Sequence, residues 1–296
     1  MLLLLLCSPN NLSFGAGESD APNTSLPNNC DDDLPTENML DIFSKKVSLE
    51  IDSFYRRRVK LDHFNGCVMV AKDGKPIYSG AFGYGNLSDK DTLTTRSSFQ
   101  LASVTKTFTS TAILMLAEKG QLSLDDTVQK FFPDFPYHGI TIRLLLSHRT
   151  GLPDYTHWDK YFIGKEVSFL TNQSLMDLLI KKKPQVRCRP DRVFIYCNTN
   201  YAILASIIEN VSGVSYQKFM HDNIFSPLGM NNTFVYDPES AGGAYCTISY
   251  DSRGRMWKDC PADGVVGDRG IYSSVDDMLK WDNALRNSLI VKKETL

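Results

Sequence analysis

The 296-residue chain has no CxxC pair among its seven cysteines and no HExxH or HxxxH spacing among its five histidines. Common metal-ligand spacings are therefore absent. There is no G-x-S-x-G, which removes the α/β-hydrolase elbow as the setting for a nucleophile. No apolar run approaches the roughly 20 residues that span a bilayer. Charge of one sign is lacking too: 32 basic residues face 34 acidic ones, for a formal net charge of −2. Nothing global favours nucleic acid or membrane surfaces. No repeat period of about 20 to 50 residues stands out. What remains, at 42% hydrophobic and 22% charged, is an ordinary soluble globular composition. The length suits one large domain or two modest ones.

The N-terminus is unusual. Residues 2–6 are all leucine, followed by Cys7. The run reads as the short h-region of a secretory signal, without the positive n-region, over residues 1–17. Gly15, Ala16 and Gly17 supply a cleavage zone. The bland alternative is a frayed apolar tail. A lipid anchor on Cys7 is the weaker reading, because Leu5 and Leu6 are bulky. Residues 18–38 are polar, with an Asp31-Asp32-Asp33 block, and read as a linker. The expectation is an exported protein, periplasmic or extracellular, with its folded domain at residues 39–296 and some membrane proximity through the leader. With Cys7 set aside an even number of cysteines remains, which permits disulfides. A domain this large does not need them, and most read as small buried apolar residues.

Residues 39–60 carry helical spacing. Two β-prone runs, 66–71 and 76–80, flank Asp73-Gly74 and read as a hairpin. Residues 86–98 are polar and read as loop. Residues 103–119 predict a helix apolar nearly all round, hence buried, with Gly120 just past its end. Shorter helices are expected at 141–146, 174–183, 198–211, 215–225 and 275–285. The basic stretch from Lys181 to Arg192 reads as a solvated helix end and surface loop. One early hairpin followed by a long helical region predicts an α+β fold.

Chemistry concentrates at Ser103. Lys106 lies three residues on, so a helix puts both on one face. A serine hydroxyl is a poor nucleophile until a base takes its proton. A lysine drawn part-way out of water gives up its own proton more readily and can help. The helix N-terminus adds partial positive charge for an oxyanion. S-x-x-K alone is weak. A helix-start serine with an unrelated lysine is the bland reading, but a lysine in an apolar helix is expensive without a task.

Four segments then make a resemblance. Ala102-Ser103-Val104-Thr105-Lys106 resembles the first motif of serine β-lactamases and penicillin-binding proteins. The segment from Leu144 through Ser147-His148-Arg149-Thr150-Gly151 to Tyr155 resembles the LLSHTSGLPDY loop of the class C (AmpC-type) related branch. The segment from Pro190 through Tyr196-Cys197-Asn198 to Tyr201 resembles its PGexFxYSNxNY run, and Gly267-Asp268-Arg269-Gly270 its GDGG run. They occur in family order across residues 64–285.

The resemblance implies a β-lactamase/transpeptidase-like fold: an antiparallel sheet flanked by helices plus a mostly helical subdomain. It implies a serine hydrolase, with Ser103 forming the acyl-enzyme and Lys106 holding or relaying its proton. Tyr196 would be the second general base. A phenol ordinarily titrates near 10, so it needs cationic help. Asn198 would bind the substrate amide and Lys106, and the Ser103 N–H would form half of an oxyanion hole. Without the family, Tyr196 and Asn198 read as a strand-to-helix turn with an Asn cap. Substrates would be β-lactams, D-amino-acid peptides from cell-wall stems, or small esters, with no cofactor or metal. DD-peptidase, esterase and an inactive homologue serving as a binding module are the alternatives.

Three departures stand out. Cys197 replaces a serine and is expected to pack away from the centre. Arg269 replaces a glycine, either adding charge near the cleft or sitting on the surface. The family's K-T-G or H-x-G strand does not follow the GDGG run, so the C-terminal strands and helix are expected to be missing. The sheet is expected to consist mainly of its first hairpin.

Overall fold

The computed structural model describes residues 2–7, 36–158, 170–237, 246–251, 253–257 and 262–295. The rest of the expected leader, and residues 18–35 of the linker, lie outside them. Two compact units divide the chain: Met1–Thr94 with Ile248–Trp257, and Thr95–Thr247 with Lys258–Leu296.

In the first unit, helix α1 (Thr36–Asp62) starts three residues before the expected span. Strands β2 (Gly66–Lys72) and β3 (Lys75–Phe82) form the expected hairpin, with Lys72 opposite Lys75. Asp73 and Gly74 between them both take positive φ, 52° and 77°. Two such residues make the turn whose twist matches paired strands. The leucine run is itself a strand, β1 (Leu2–Cys7), antiparallel to the other edge of β2 with Leu2 opposite Ala71. A short apolar segment there pairs that edge of β2. The sheet order is β1-β2-β3, one strand more than the expected hairpin. Cys67 through Ala71 are all buried, as befits a central strand. Val68, Val70 and Tyr78 form a core cluster on which Ile51 and Tyr55 of α1 pack. Strands β4 (Tyr84–Asn86) and β5 (Asp91–Thr92) make a small ladder partly inside the segment expected to be loop.

The second unit is mostly helical, as expected of the helical subdomain. Strand β6 (Phe99–Gln100) leads through a 3-10 turn, Ala102–Val104, into α2 (Thr105–Glu118). There follow α3 (Val128–Phe131), α4 (Ile142–Leu146), α5 (Asn172–Lys182), α6 (Asn198–Ser212) and α7 (Tyr216–Met220), which runs into a π turn at His221–Phe225. Strands β7 (Phe234–Val235) and β8 (Ile271–Ser273) precede α8 (Val275–Arg286). An antiparallel sheet of order β6-β8-β7 joins three segments far apart in sequence. Strands this short carry no readable alternation, which is why the sequence reading passed over them.

Helix α6 is the hub, packed by α2, α4, α5 and α7. Every residue from Thr199 to Ile207 is buried. The helix stops at Gly213, φ 72°. Helix α2 ends as its sequence forecasts. The Gly120 N–H donates to Ala117 and the Gln121 N–H to Leu116, the paired bonds of a Schellman cap around a left-handed glycine. Phe108 of α2 stacks on Trp281 of α8 with centroids 4.0 Å apart. Among the described residues no helix is long and apolar enough to cross a membrane.

Candidate active site

Ser103 sits in the 3-10 turn, two residues before α2 begins rather than at the helix start expected at 103. Ala102 before it takes φ 46°, a conformation a non-glycine residue adopts at some cost. The tight turn still brings Lys106 to Ser103: the ammonium donates to Oγ at 3.1 Å. Lys106 is only 6% exposed. It also donates to Asn198 Oδ1 and to the Asp268 carbonyl, both at 2.9 Å. An ammonium carries three N–H donors, and three acceptors stand in place for them. The Tyr196 and Tyr201 rings lie below the same nitrogen, at 5.0 and 5.6 Å from centroid.

On the other side, the Tyr196 hydroxyl reaches Ser103 Oγ at 2.8 Å. All four residues singled out from sequence (Ser103, Lys106, Tyr196 and Asn198) therefore meet at one point. The Asn198 carboxamide is engaged at both ends. Its Oδ1 accepts from Lys106, and its Nδ2 donates to Asp154 Oδ2 at 3.2 Å. Only one Nδ2 hydrogen is left for a substrate, a narrower part than the one expected of it.

Sequence reasoning missed the residues that hold this arrangement, although the motifs contained them. Asp154, 4% exposed, also accepts from the Asn198 backbone N–H and from Thr156. Thr199 donates to the Pro153 carbonyl and accepts from the Tyr155 N–H. The loop from His148 to Tyr155 is thus stitched to the Y-x-N segment. Gly267 makes room for the third wall. Its φ is 101°, and a Cβ there would sit 2.5 Å from the Tyr201 carbonyl oxygen. No other residue fits that approach.

Asp268 is 1% exposed and accepts from the Tyr155 hydroxyl at 2.9 Å. Burial pushes its carboxyl above the ordinary range, against the pull of Arg269 and Lys106. Its Oδ1 is buried without a hydrogen-bond partner. Arg269, left open by the sequence, turns inward. Its Nε lies 3.3 Å from Asp268 Oδ2 and its guanidinium 5.7 Å from the Tyr155 ring centroid. Cys197 does pack away from the centre, 1% exposed, with Sγ 3.5 Å from the Leu152 carbonyl.

A model of the Beta-lactamase family matches residues 51–296. The chain belongs to the Beta-lactamase family. That family is of serine-hydrolase type, and the fold is the β-lactamase/transpeptidase fold expected from the motifs. Penicillin-binding protein 4* of Bacillus subtilis (strain 168) is 36% identical over 250 residues, covering 78% of this chain and 54% of the relative. The octameric penicillin-binding protein homologue from Pyrococcus abyssi superposes with a TM-score of 0.71 at 31% identity, covering 83% of this chain and 58% of that one. The D-amino acid amidase from Ochrobactrum anthropi SV3 gives 0.61 at 27%, covering 74% and 63%. This β-lactamase-family chain therefore spans little more than half the length of the curated Bacillus relative.

Proposed function

We propose that this protein is an acyl-transfer hydrolase whose nucleophile is Ser103. The observation that carries the reading is the seat of Ser103 Oγ between Lys106 Nζ at 3.1 Å and the Tyr196 hydroxyl at 2.8 Å. Tyr196, as phenolate, takes the Ser103 proton while Oγ attacks the substrate carbonyl carbon. The Lys106 ammonium lies 5.0 Å from the centroid of the Tyr196 ring and donates to the same Oγ. The tetrahedral intermediate then collapses, the leaving group takes the proton from Tyr196, and an ester to Ser103 remains. Water enters, gives a proton to Tyr196 and attacks the ester. Ser103 leaves with that proton restored. Asn198 holds Lys106 in place and offers its remaining N–H to the substrate.

The substrate classes are β-lactams, D-amino-acid peptides and small esters. The likeness to penicillin-binding proteins and to a D-amino acid amidase supports the first two. The second reading is an inactive homologue acting as a binding module. Labelling of purified protein with a fluorescent penicillin, with Ser103→Ala as control, separates them. Covalent label on the parent chain and none on Ser103→Ala is the expected outcome. Equal label on both sinks Ser103 as nucleophile. Chromogenic esters and D-Ala-D-Ala peptides test the other classes. We further propose export, from the leucine run and the polar residues 18–38; N-terminal sequencing of secreted protein tests it.

A further inference from the structure

Tyr196 is 45% exposed, yet as the base it must deliver its oxygen to Ser103. A ring stands beside it: His148, a 7% exposed residue in the loop before α5. Its main chain is left-handed, φ 54°, a region histidine tolerates better than most side chains. Its carbonyl accepts from the Ile195 N–H at 2.9 Å. Its Nδ1 accepts from the Cys197 N–H at 3.2 Å. His148 thus grips the chain on both sides of Tyr196. Its ring lies 4.5 Å from the Tyr196 ring, tilted 33°, and 5.1 Å from Tyr201.

The tautomer follows from the donors. A backbone N–H can only donate, so Nδ1 is bare. Asn200 Nδ2 points at the same nitrogen from 3.3 Å, its orientation set because Thr150 donates to Asn200 Oδ1 at 2.7 Å. Two donors on one lone pair require a neutral imidazole with its hydrogen on Nε2.

We infer that His148 is the positioning residue of the proposed reaction: an acceptor-only imidazole that seats the Tyr196 ring and fixes the backbone between Ile195 and Asn198. The inference rests on the Ser103 reading. It goes further in making the proton inventory of a residue outside the reacting atoms decide whether Tyr196 reaches Ser103. Protonation would place an Nδ1–H against two other donors and a second cation near Lys106. The groups facing the ring are Lys106 from α2, Asp154 from its own loop, Tyr196, and Tyr201 from α6. Burial, then the Lys106 charge, push the imidazole down to about 4. The seat is therefore intact at neutral pH and is lost in acid.

Two variants separate the ring from its nitrogen. His148→Phe keeps a ring and removes the acceptor. His148→Asn suits the left-handed backbone and keeps an acceptor close to the Nδ1 position. The acylation rate by fluorescent penicillin is measured against concentration and pH, with Ser103→Ala in parallel. His148→Phe is expected to acylate at least tenfold more slowly with an unchanged half-saturating concentration, and His148→Asn to recover part of the loss. The acid limb near pH 4 disappears in His148→Asn. A wild-type rate and limb in His148→Phe, or an unchanged limb in His148→Asn where Phe does not fold, overturns the inference. An unlabelled parent chain, or label on Ser103→Ala, tells against Ser103 rather than His148. Histidine nitrogen NMR then decides, and an Nδ1-protonated tautomer at neutral pH overturns the assignment.

Discussion

The two sides of Ser103 are built by different means. On the Lys106 side, turn and helix are continuous chain, and an i, i+3 spacing delivers the ammonium. On the other side, Tyr196 itself is 93 positions away in sequence. That side is held by cross-links from another loop: Asp154 on Asn198, His148 on Ile195 and Cys197, and Pro153 on Thr199. One side is local and carries the charge; the other is imported and carries the geometry. Removing a part from each should therefore fail differently, chiefly in rate on the first side and in stability as well as rate on the second.

The largest expected effect is on the local side. Lys106→Met keeps the bulk of the stem but removes the ammonium that donates to Ser103 Oγ. Ser103 acylation should fall by about 10²- to 10³-fold, the usual cost of removing one charged hydrogen-bond donor aimed at the reacting centre. The Asn198 and Asp268 oxygens lose a donor, so some stability goes too. Calorimetry beside penicillin labelling checks both. A variant that labels at the parent rate would remove Lys106 from the mechanism.

Next comes the imported side. Asp154→Ala deletes an acceptor that serves the Asn198 N–H and Nδ2 and both Thr156 donors. Stranding these four part-buried donors costs about 3 kcal/mol. In a chain of this size that lowers the melting temperature by roughly 5–10 °C. Thermal unfolding followed by circular dichroism checks it. A loss larger than that of Lys106→Met is what the comparison requires, and the reverse order would break it.

This division also explains what the sequence disclosed. Helix α2 and its Ser103–Lys106 pair were legible because both rest on near neighbours, as did the Asp73-Gly74 turn and the glycine stops after α2 and α6. Tyr196 and Asn198 were legible only through motif resemblance, since no local periodicity connects them to Ser103. The supports escaped. Asp154, His148 and Asp268 look like loop residues until the fold lays α6 between the loops. The strands β6, β7 and β8 are too short to show a period. Arg269 could not be placed, because the partner that turns it inward, Asp268, gives no hint in sequence of being buried.

The third effect is a dependence on pH. His148 is neutral in the fold, with its pKa lowered from 6.5 to about 4 by burial first and the Lys106 charge second. Between those values the unfolded chain binds a proton that the native chain does not, so stability rises with pH. The contribution is complete above about 6.5 and is lost as pH falls toward 4, on the order of 3 kcal/mol at most. Urea titrations at pH 7 and pH 4.5 on the parent and His148→Asn measure it. A parent that loses no more than His148→Asn over that interval would leave the imidazole without this part in stability.

The smallest effect tests whether the imported side is as exact at its middle residue as at its ends. Cys197 sits between Tyr196 and Asn198, yet its thiol faces the Leu152 and Pro153 carbonyls at 3.5 and 3.7 Å and touches none of the reacting groups. Burial pushes that thiol up to about 11, so it stays protonated and unreactive. Cys197→Ser exchanges one donor for another toward the same carbonyls, and the net change is within about 1 kcal/mol. The acylation rate should match the parent. Mass spectrometry after a thiol reagent should find Cys197 modified only once the protein is unfolded. A Cys197→Ser variant that slows acylation without losing stability would mean that the middle position also steers Tyr196, and the burden here assigned to His148 and Asp154 would have to be shared with it.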